Sequence, residues 1–337
     1  MTRDNVDRMK RPSVAVIILT CNEAPNLTRA LDSVCGWAEE VHVVDSYSTD
    51  STVDRALERK DDRVHVVQHA FDGYSKQWNW ALDHLPIRAE WTLKLDADEE
   101  VTHEFKREVT EIIARNDGKL EGISFRRRLV FLESILRWGS VSGNHDLRMW
   151  RSGKARFEER SMNEHAIVQG RTVEVRSFIM HHTCTSLSAW IDKHNRYSSL
   201  EARNFLEGNV TGEIAPSLLG SAAERRMWLR RLYLRLPARP FMYFLYAFFL
   251  RLGFLDGAGG FRFAFLHAAY YYWIDLKIRQ YRMTGRLPEV IWPARGVPHP
   301  ALRDSALPCT VDIGKAVGIE QTPSYSTASI RSGGESP

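Results

Sequence analysis

The spacing of apolar residues changes as this chain proceeds. "SVAVIILT", Ser13 to Thr20, is a continuous apolar run, the pattern of a strand covered on both faces. Behind it, "CNEAPNLTRALDSVCGW" sets Leu27, Ala30, Leu31 and Val34 at helical spacing. "VHVVDS" reads as a second strand, and "STVDRALERK" as a helix with Val53, Ala56 and Leu57 on one face. "VHVVQ" is a third strand, followed by a helix over "SKQWNWALDHL" with Trp78, Ala81, Leu82 and Leu85 inward. In "WTLKLDADEEV", Trp91, Leu93 and Leu95 alternate with Thr92 and Lys94, a fourth strand. Alternation at such short intervals predicts an α/β fold with a mostly parallel central sheet and right-handed crossovers.

From about residue 119 the pattern differs. "LEGISFRRRLVFLE" and "TVEVRSFIMHH" read as strands of a mixed or antiparallel region. "SLSAWIDKHNRYSSLEARNFLEG" reads as a helix with Trp190, Ile191, His194, Tyr197 and Ser198 sharing a face. The predicted organisation is a polar lead over 1–12, a catalytic domain over 13–215, a basic aromatic helical region over 220–300 and a tail over 303–337. The tail is rich in Ser, Thr, Gly and Pro, a composition that predicts disorder.

A length of 337 residues suits one large domain with an appendage, and 44% apolar with 26% charged residues is ordinary for a globular protein. A net charge of +4 gives a nucleic-acid partner little support, yet residues 225–251 hold seven arginines and no acid. Cys21, Cys35, Cys184 and Cys309 show no C-x-x-C or zinc spacing, which suits free thiols in a reducing compartment. "MTRDNVDRMKRPSV" lacks the apolar core of a secretory signal. The expectation is a cytoplasmic protein that meets any membrane, peripherally, from the cytoplasmic side.

In open parallel sheets, ligands sit beyond the carboxyl ends of the strands. Those ends read Thr20-Cys21-Asn22-Glu23, Asp45 through Asp50, and Asp96-Ala97-Asp98-Glu99. A dinucleotide site needs G-x-G-x-x-G after the first strand, and "TCNEAPN" holds no glycine. A diphosphate bound there needs a cation instead. Asp96 and Asp98 offer the carboxylate oxygens that a hard divalent ion, Mg²⁺ or Mn²⁺, takes together with phosphate oxygens and water.

The motifs "VAVIILTCNEAPNLTRALDSV", "VHVVDSYSTDSTVDRA", "GYSKQWNWAL" and "WTLKLDADEEV" together resemble those of family 2 glycosyltransferases. The resemblance spans roughly residues 13 to 200 and is closest to bacterial lipopolysaccharide-core and related envelope-sugar transferases. It implies a GT-A fold and transfer of a sugar, with inversion, from a nucleotide-sugar donor, most simply a UDP-sugar. It places Thr20, Asn22, Glu23, Asp45, Ser46 and Asp50 around the nucleotide. It sets Lys76, Gln77 and Asn79 facing the donor from the third helix. It makes Asp96 and Asp98 the metal motif, with Asp98 the firmer ligand. Asp50 or Ser51 also reads as a cap for the helix at "STVDRA".

An inverting transfer needs a general base for the acceptor hydroxyl. By resemblance, Glu164 in "FEERSMNEHAIVQG" takes that role with His165 beside it, Asp146 comes second and Glu159 third. His181 in "IMHHT", ahead of His182, completes the metal shell as a neutral imidazole. Arg126, Arg127, Arg128, Arg148 and Arg151 are candidates to offset donor or acceptor phosphate; most are expected in solvent, and Arg148 alone is singled out as lining the site.

The uncharged stretch Pro240 to Leu250 has 11 residues and "FAFLHAAYYYWI" has 12, both short of the roughly 20 that span a bilayer. Arginine mixed with aromatics suits an anionic headgroup interface, with Gly253, Gly257, Gly259 and Gly260 turning the chain between two interfacial helices. A lipid-linked glycan acceptor fits such a seat. Two other functions compete with glycosyl transfer. A sugar-phosphate nucleotidyltransferase would want a glycine-rich loop after the first strand, and a non-catalytic sugar- or lipid-binding protein would not need Asp45, Asp96, Asp98 and Glu164 intact.

Overall fold

The continuous apolar run becomes β1 (Val14–Thr20), with Val14 through Ile18 wholly buried. On one side it pairs in parallel with β2 (Glu40–Asp45), and β2 with β3 (Val64–Gln68). On the other side it pairs in parallel with β4 (Trp91–Asp96). The crossovers are α1 (Ala24–Val34), α2 (Thr52–Leu57) and α3 (Tyr74–His84), as the apolar spacing predicts. Leu57 is the exception on α2. The helix has only 6 residues, Val53 and Ala56 fill its inner face, and Leu57, one residue round, is exposed. The computed structural model describes residues 12–59, 61–139, 145–158, 165–184, 186–207, 238–291 and 294–302. The polar lead, the tail beyond residue 303, Glu159 and Glu164 lie outside the described residues.

The second half of the sheet is mixed. Beyond β4, the chain forms β5 (Glu99–Glu100), α4 (His103–Ala114), β6 (Leu120–Phe131) and β7 (Ser134–Ile135). Then come β8 (Asp146–Arg151), β9 (Ala155–Phe157), β10 (Ala166–Val168) and β11 (Arg171–Cys184). The strand order is β3-β2-β1-β4-β8-β6-β11-β5, with β8 antiparallel to both of its neighbours and β6 parallel to β11. β5 is cut from the acidic motif itself and lies against β11, Glu99 opposite His181 and Glu100 opposite Met180. That pairing brings the motif after β4 onto the strand that carries the histidines.

α5 (Leu187–Leu206) leaves β11 directly, its first turn capped by Ser186. Trp190 anchors it, buried with Phe131, Leu136, Cys184 and Phe263, while Ile191 falls outside the inner face and is exposed. Of the basic aromatic region, residues 220–237 lie outside the described residues, and the part from 238 to 284 is a bent pair. α6 (Arg239–Leu245) runs into a π-helical turn over Tyr246–Leu250, then a 3₁₀ turn over Gly253–Asp256 leads into α7 (Gly257–Thr284). The two arms meet at 74°. Gly253 and Gly257 sit at the bend. Gly259 lies instead in the first turn of α7, where a β-carbon would meet the side chain of Ser134 at 2.6 Å.

Among the described residues, no single helix is long and apolar enough to cross a membrane. α7 shares the core of the sheet domain through Phe263, and its Ile274 and Ile278 pack on Ala202 of α5. Its outer side carries Phe261, Phe265, Tyr272, Leu276 and Met283, all exposed. At 3.6 residues per turn these five fall within a sector of roughly 60°. Finally, residues 294–302 return to the sheet as a strap. Gly296 donates its N–H to the Tyr47 carbonyl at 2.8 Å, and His299 its N–H to Gln68 Oε1 at 2.7 Å.

Candidate active site

Thr20 and Asp45 end β1 and β2 as direct neighbours. Asp45 is wholly buried and accepts from Thr20 Oγ1 at 3.1 Å, Ser48 N at 2.9 Å, Gln68 Nε2 at 2.8 Å and the Ser48 hydroxyl. The loops that follow carry positive φ at Asn22 (57°) and Tyr47 (55°), a conformation asparagine tolerates and tyrosine does not favour. Asn22 Oδ1 accepts from Thr49 N at 2.7 Å, Thr49 Oγ1 at 3.2 Å and Asp50 N at 3.3 Å. Asp50 accepts from Ala24 N at 3.2 Å and Thr52 N at 3.0 Å, so one carboxylate serves the starts of both α1 and α2. Both residues were expected on the donor. The structure commits their side chains to stitching the two loops together, and Asp50, not Ser51, caps α2.

The three α3 residues expected to face the donor also have other partners. Lys76 reaches Asp72 at 2.6 Å in solvent. Gln77 is buried, its Oε1 2.7 Å from His69 Nδ1 and its Nε2 donating to Ser46 Oγ at 3.3 Å. Asn79 bonds both main-chain groups of Phe157 at 3.0 Å, which fastens α3 to β9. A helix packed between two strands needs those amides for its own docking.

The acidic motif divides in two. Asp96 turns to Arg148, whose guanidinium also holds the fully buried Glu99, each contact at 2.5 Å. Arg127 lies 3.7 Å from Glu99 and 3.1 Å from Asp146. Burial pushes the Glu99 carboxyl above its usual range, and Arg148, facing two carboxylates, is held firmly charged against its own burial. Asp98 goes the other way. Its Oδ2 lies 3.3 Å from His181 Nε2 and 3.6 Å from Lys193 Nζ. Burial pushes Asp98 up, but His181 and then Lys193 pull it down further, to about 2. Burial lowers His181, and Asp98 more than reverses that. Glu23, raised by burial and then by Asp98, accepts from Asn26 Nδ2 at 2.8 Å.

The expected trio of Asp96, Asp98 and His181 is therefore not assembled. Asp98 and His181 meet, Asp96 belongs to Arg148, and among the described residues no three His, Cys, Asp or Glu side chains gather as a metal set. His182 bonds Glu100 Oε2 at 2.9 Å instead. Two facing donors, a carboxylate and an imidazole, still fit a divalent ion whose remaining ligands are phosphate and water. Asp146, expected as the second choice of base, accepts from Arg127, and His165 is exposed.

Residues 15–152 match the family described as Glycosyl transferase family 2. The chain carries a glycosyl transferase family 2 domain. An uncharacterized glycosyltransferase of Rickettsia bellii is 27% identical over 258 residues, covering 74% of this chain and 80% of that protein. The lipopolysaccharide core biosynthesis glycosyltransferase LpsC of Rhizobium meliloti is 25% identical over 270 residues, covering 77% and 92%. Among solved structures, S. aureus TarS 1-349 is 16% identical with a TM-score of 0.37, covering 81% of this chain and 92% of that one.

The matched domain has the GT-A fold, a mostly parallel sheet with helices, and the match favours glycosyl transfer over the nucleotidyltransferase alternative. Four site residues escaped sequence reasoning. Glu99 was given no role of its own within the acidic motif, and Gln68 only ended the third strand. Arg127 was expected in solvent but spans Glu99 and Asp146. Its neighbours differ too, since Arg128 lies over the Phe178 ring at 3.7 Å and Arg151 over Trp91 at 5.4 Å. Lys193 comes from α5, about a hundred residues after the motif it serves, and nothing in its local pattern marks it.

Proposed function

We propose that this glycosyltransferase moves a sugar, with inversion, from a nucleotide-sugar donor to a lipid-linked or envelope glycan acceptor, with a divalent cation bound at Asp98 and His181. The observation that carries the reading is the 3.3 Å approach of Asp98 Oδ2 to His181 Nε2 beside the ends of β1 and β4. Thr20, Ser46 and Asp45 form the buried floor under the adjoining nucleotide side, with Asp45 fixed by four hydrogen bonds, and Glu23 stands at its edge. A divalent ion, Mg²⁺ or Mn²⁺, when bound supplies charge neutralisation for the leaving diphosphate. Arg148 keeps Asp96 and Glu99 in place and stops their charges repelling Asp98. Glu164 takes the acceptor proton, with Asp146 as the second candidate.

The exposed face of α6 and α7 supports a seat on an anionic membrane surface. Phe241, Phe249, Leu250, Phe254, Phe261 and Phe265 are all more than a third exposed, and the sequence over 225–251 carries seven arginines and no acid. The relative named for lipopolysaccharide core biosynthesis supports an envelope acceptor.

The test is a panel of nucleotide sugars assayed with Mg²⁺ or Mn²⁺, comparing the native chain with Asp98→Asn. Turnover is expected to fall on the order of 100-fold in the variant, with the thermal midpoint moving by no more than about 5 °C. Near-native turnover overturns the metal assignment.

A further inference from the structure

Two cations of different character face the acidic motif. Arg148 is 6% exposed and is gripped by two carboxylates at once, so it is part of the frame. Lys193 is 38% exposed on its side chain and stands 3.6 Å from Asp98, beyond hydrogen-bond reach. Among the described residues its ammonium makes no hydrogen bond. Its surroundings are acidic, since Asp98, Glu23 and Asp96 all act on it.

Its position is set from outside the site. Trp190 is 2% exposed, packs edge-on against Phe131 and stacks on His194 with ring centroids 3.6 Å apart. That packing defines which face α5 turns inward. Lys193, one turn on from Trp190, is presented to the rim on a rigid helix, while its four-carbon stem leaves the ammonium free to move by a few ångströms. A fixed backbone with a mobile point charge is the arrangement that follows a phosphate through a reaction.

We infer that Lys193 is a catalytic residue that balances Asp98 in the free enzyme and transfers its charge to the donor's diphosphate when the nucleotide sugar binds. This rests on the glycosyl-transfer reading above and deepens it. Without nucleotide, Lys193 and a divalent ion compete for the Asp98 carboxylate. With nucleotide, the ammonium moves to the phosphate oxygens. In the transfer, the bond between the anomeric carbon and the diphosphate oxygen breaks, and its electron pair stays on the diphosphate. The acceptor oxygen bonds to that carbon and its proton goes to the general base. Lys193 gives up no proton, and it offsets the negative charge that collects on the leaving oxygen.

The two halves of the inference predict effects of opposite sign. Mn²⁺ alone, titrated by electron paramagnetic resonance, is expected to bind Lys193→Met severalfold more tightly than the native chain. At saturating Mn²⁺, the tightest-binding of UDP, GDP and dTDP for the native chain, measured by calorimetry, is expected to bind Lys193→Met at least 10-fold more weakly. Lys193→Arg is expected to restore nucleotide affinity to within a few-fold. A lysine that only buttresses the fold would loosen both ligands or neither, and either result overturns the inference while leaving the metal site standing. If the native chain takes up neither Mn²⁺ nor any of the three nucleotides, the glycosyl-transfer site falls and this inference falls with it.

Discussion

Glu40 lies at the start of β2, 8% exposed, with Oε1 accepting the main-chain amides of Arg88 and Ala89 at 2.7 and 2.8 Å. Its Oε2 is 3.3 Å from His42 Nε2. Burial raises this carboxyl, and His42 with the two amides outweighs it, leaving the group at about 2. A carboxyl depressed in the fold adds stability that is complete above its unfolded value, about 4.5, and is lost as pH falls through 2. Glu40→Gln is expected to cost about 1–2 kcal/mol in urea unfolding at pH 7, with the gap to the native chain narrowing from pH 4.5 downward. An unchanged gap at pH 3 would refute the assignment. The chemistry of single residues was only partly legible in the sequence. Asp45 and Asp98 were legible as carboxylates at the end of β2 and just beyond the end of β4, and the structure sets them there. Whether a polar side chain faces ligand or frame does not show in spacing, which is why Asn22, Asp50, Gln77 and Asn79 looked like donor contacts and are bonded to the chain itself.

Whole elements were read more securely than their partners. A run such as "SVAVIILT" has no polar face to offer water, so it must be a central strand. By contrast, "DLRMWR" gives no local sign that it enters the sheet antiparallel between β4 and β6, and two residues of the acidic motif give none that they form a strand on β11. Those pairings are fixed by tertiary closure. The junction of α1 and α2 offers a test at this scale. Asp50 serves Ala24 and Thr52 together, so Asp50→Ala is expected to remove about 1–2 kcal/mol, the cost of a lost helix cap. Hydrogen exchange should report it as faster opening at the first turns of both helices. Faster exchange at α2 alone would mean the shared contact carries no weight.

For the molecule as a whole, the composition of the basic aromatic region was legible, and its geometry was not. The sequence shows two apolar stretches too short to span a bilayer. It does not show that α7 buries Phe263 in the same core as Phe131 while turning Phe261 and Phe265 outward. On the proposed membrane seat, the full chain should float with vesicles containing phosphatidylglycerol and stay behind with neutral ones. Phe261→Ser combined with Phe265→Ser should reduce flotation severalfold with the unfolding midpoint little changed. If the native chain stays behind with both vesicle types, the seat is removed.

The strap has a consequence for biogenesis. Gln68, which steadies Asp45, takes a hydrogen bond from His299, a residue 231 positions later. The carbonyl of Tyr47 is likewise met by Gly296, where any β-carbon would press on the Ser48 carbonyl at 2.8 Å. Translation proceeds from the amino end, so the sheet can condense on the ribosome well before these late residues emerge. The nascent enzyme thus acquires its sheet early, and the loop after β2 is braced only once residue 299 has emerged.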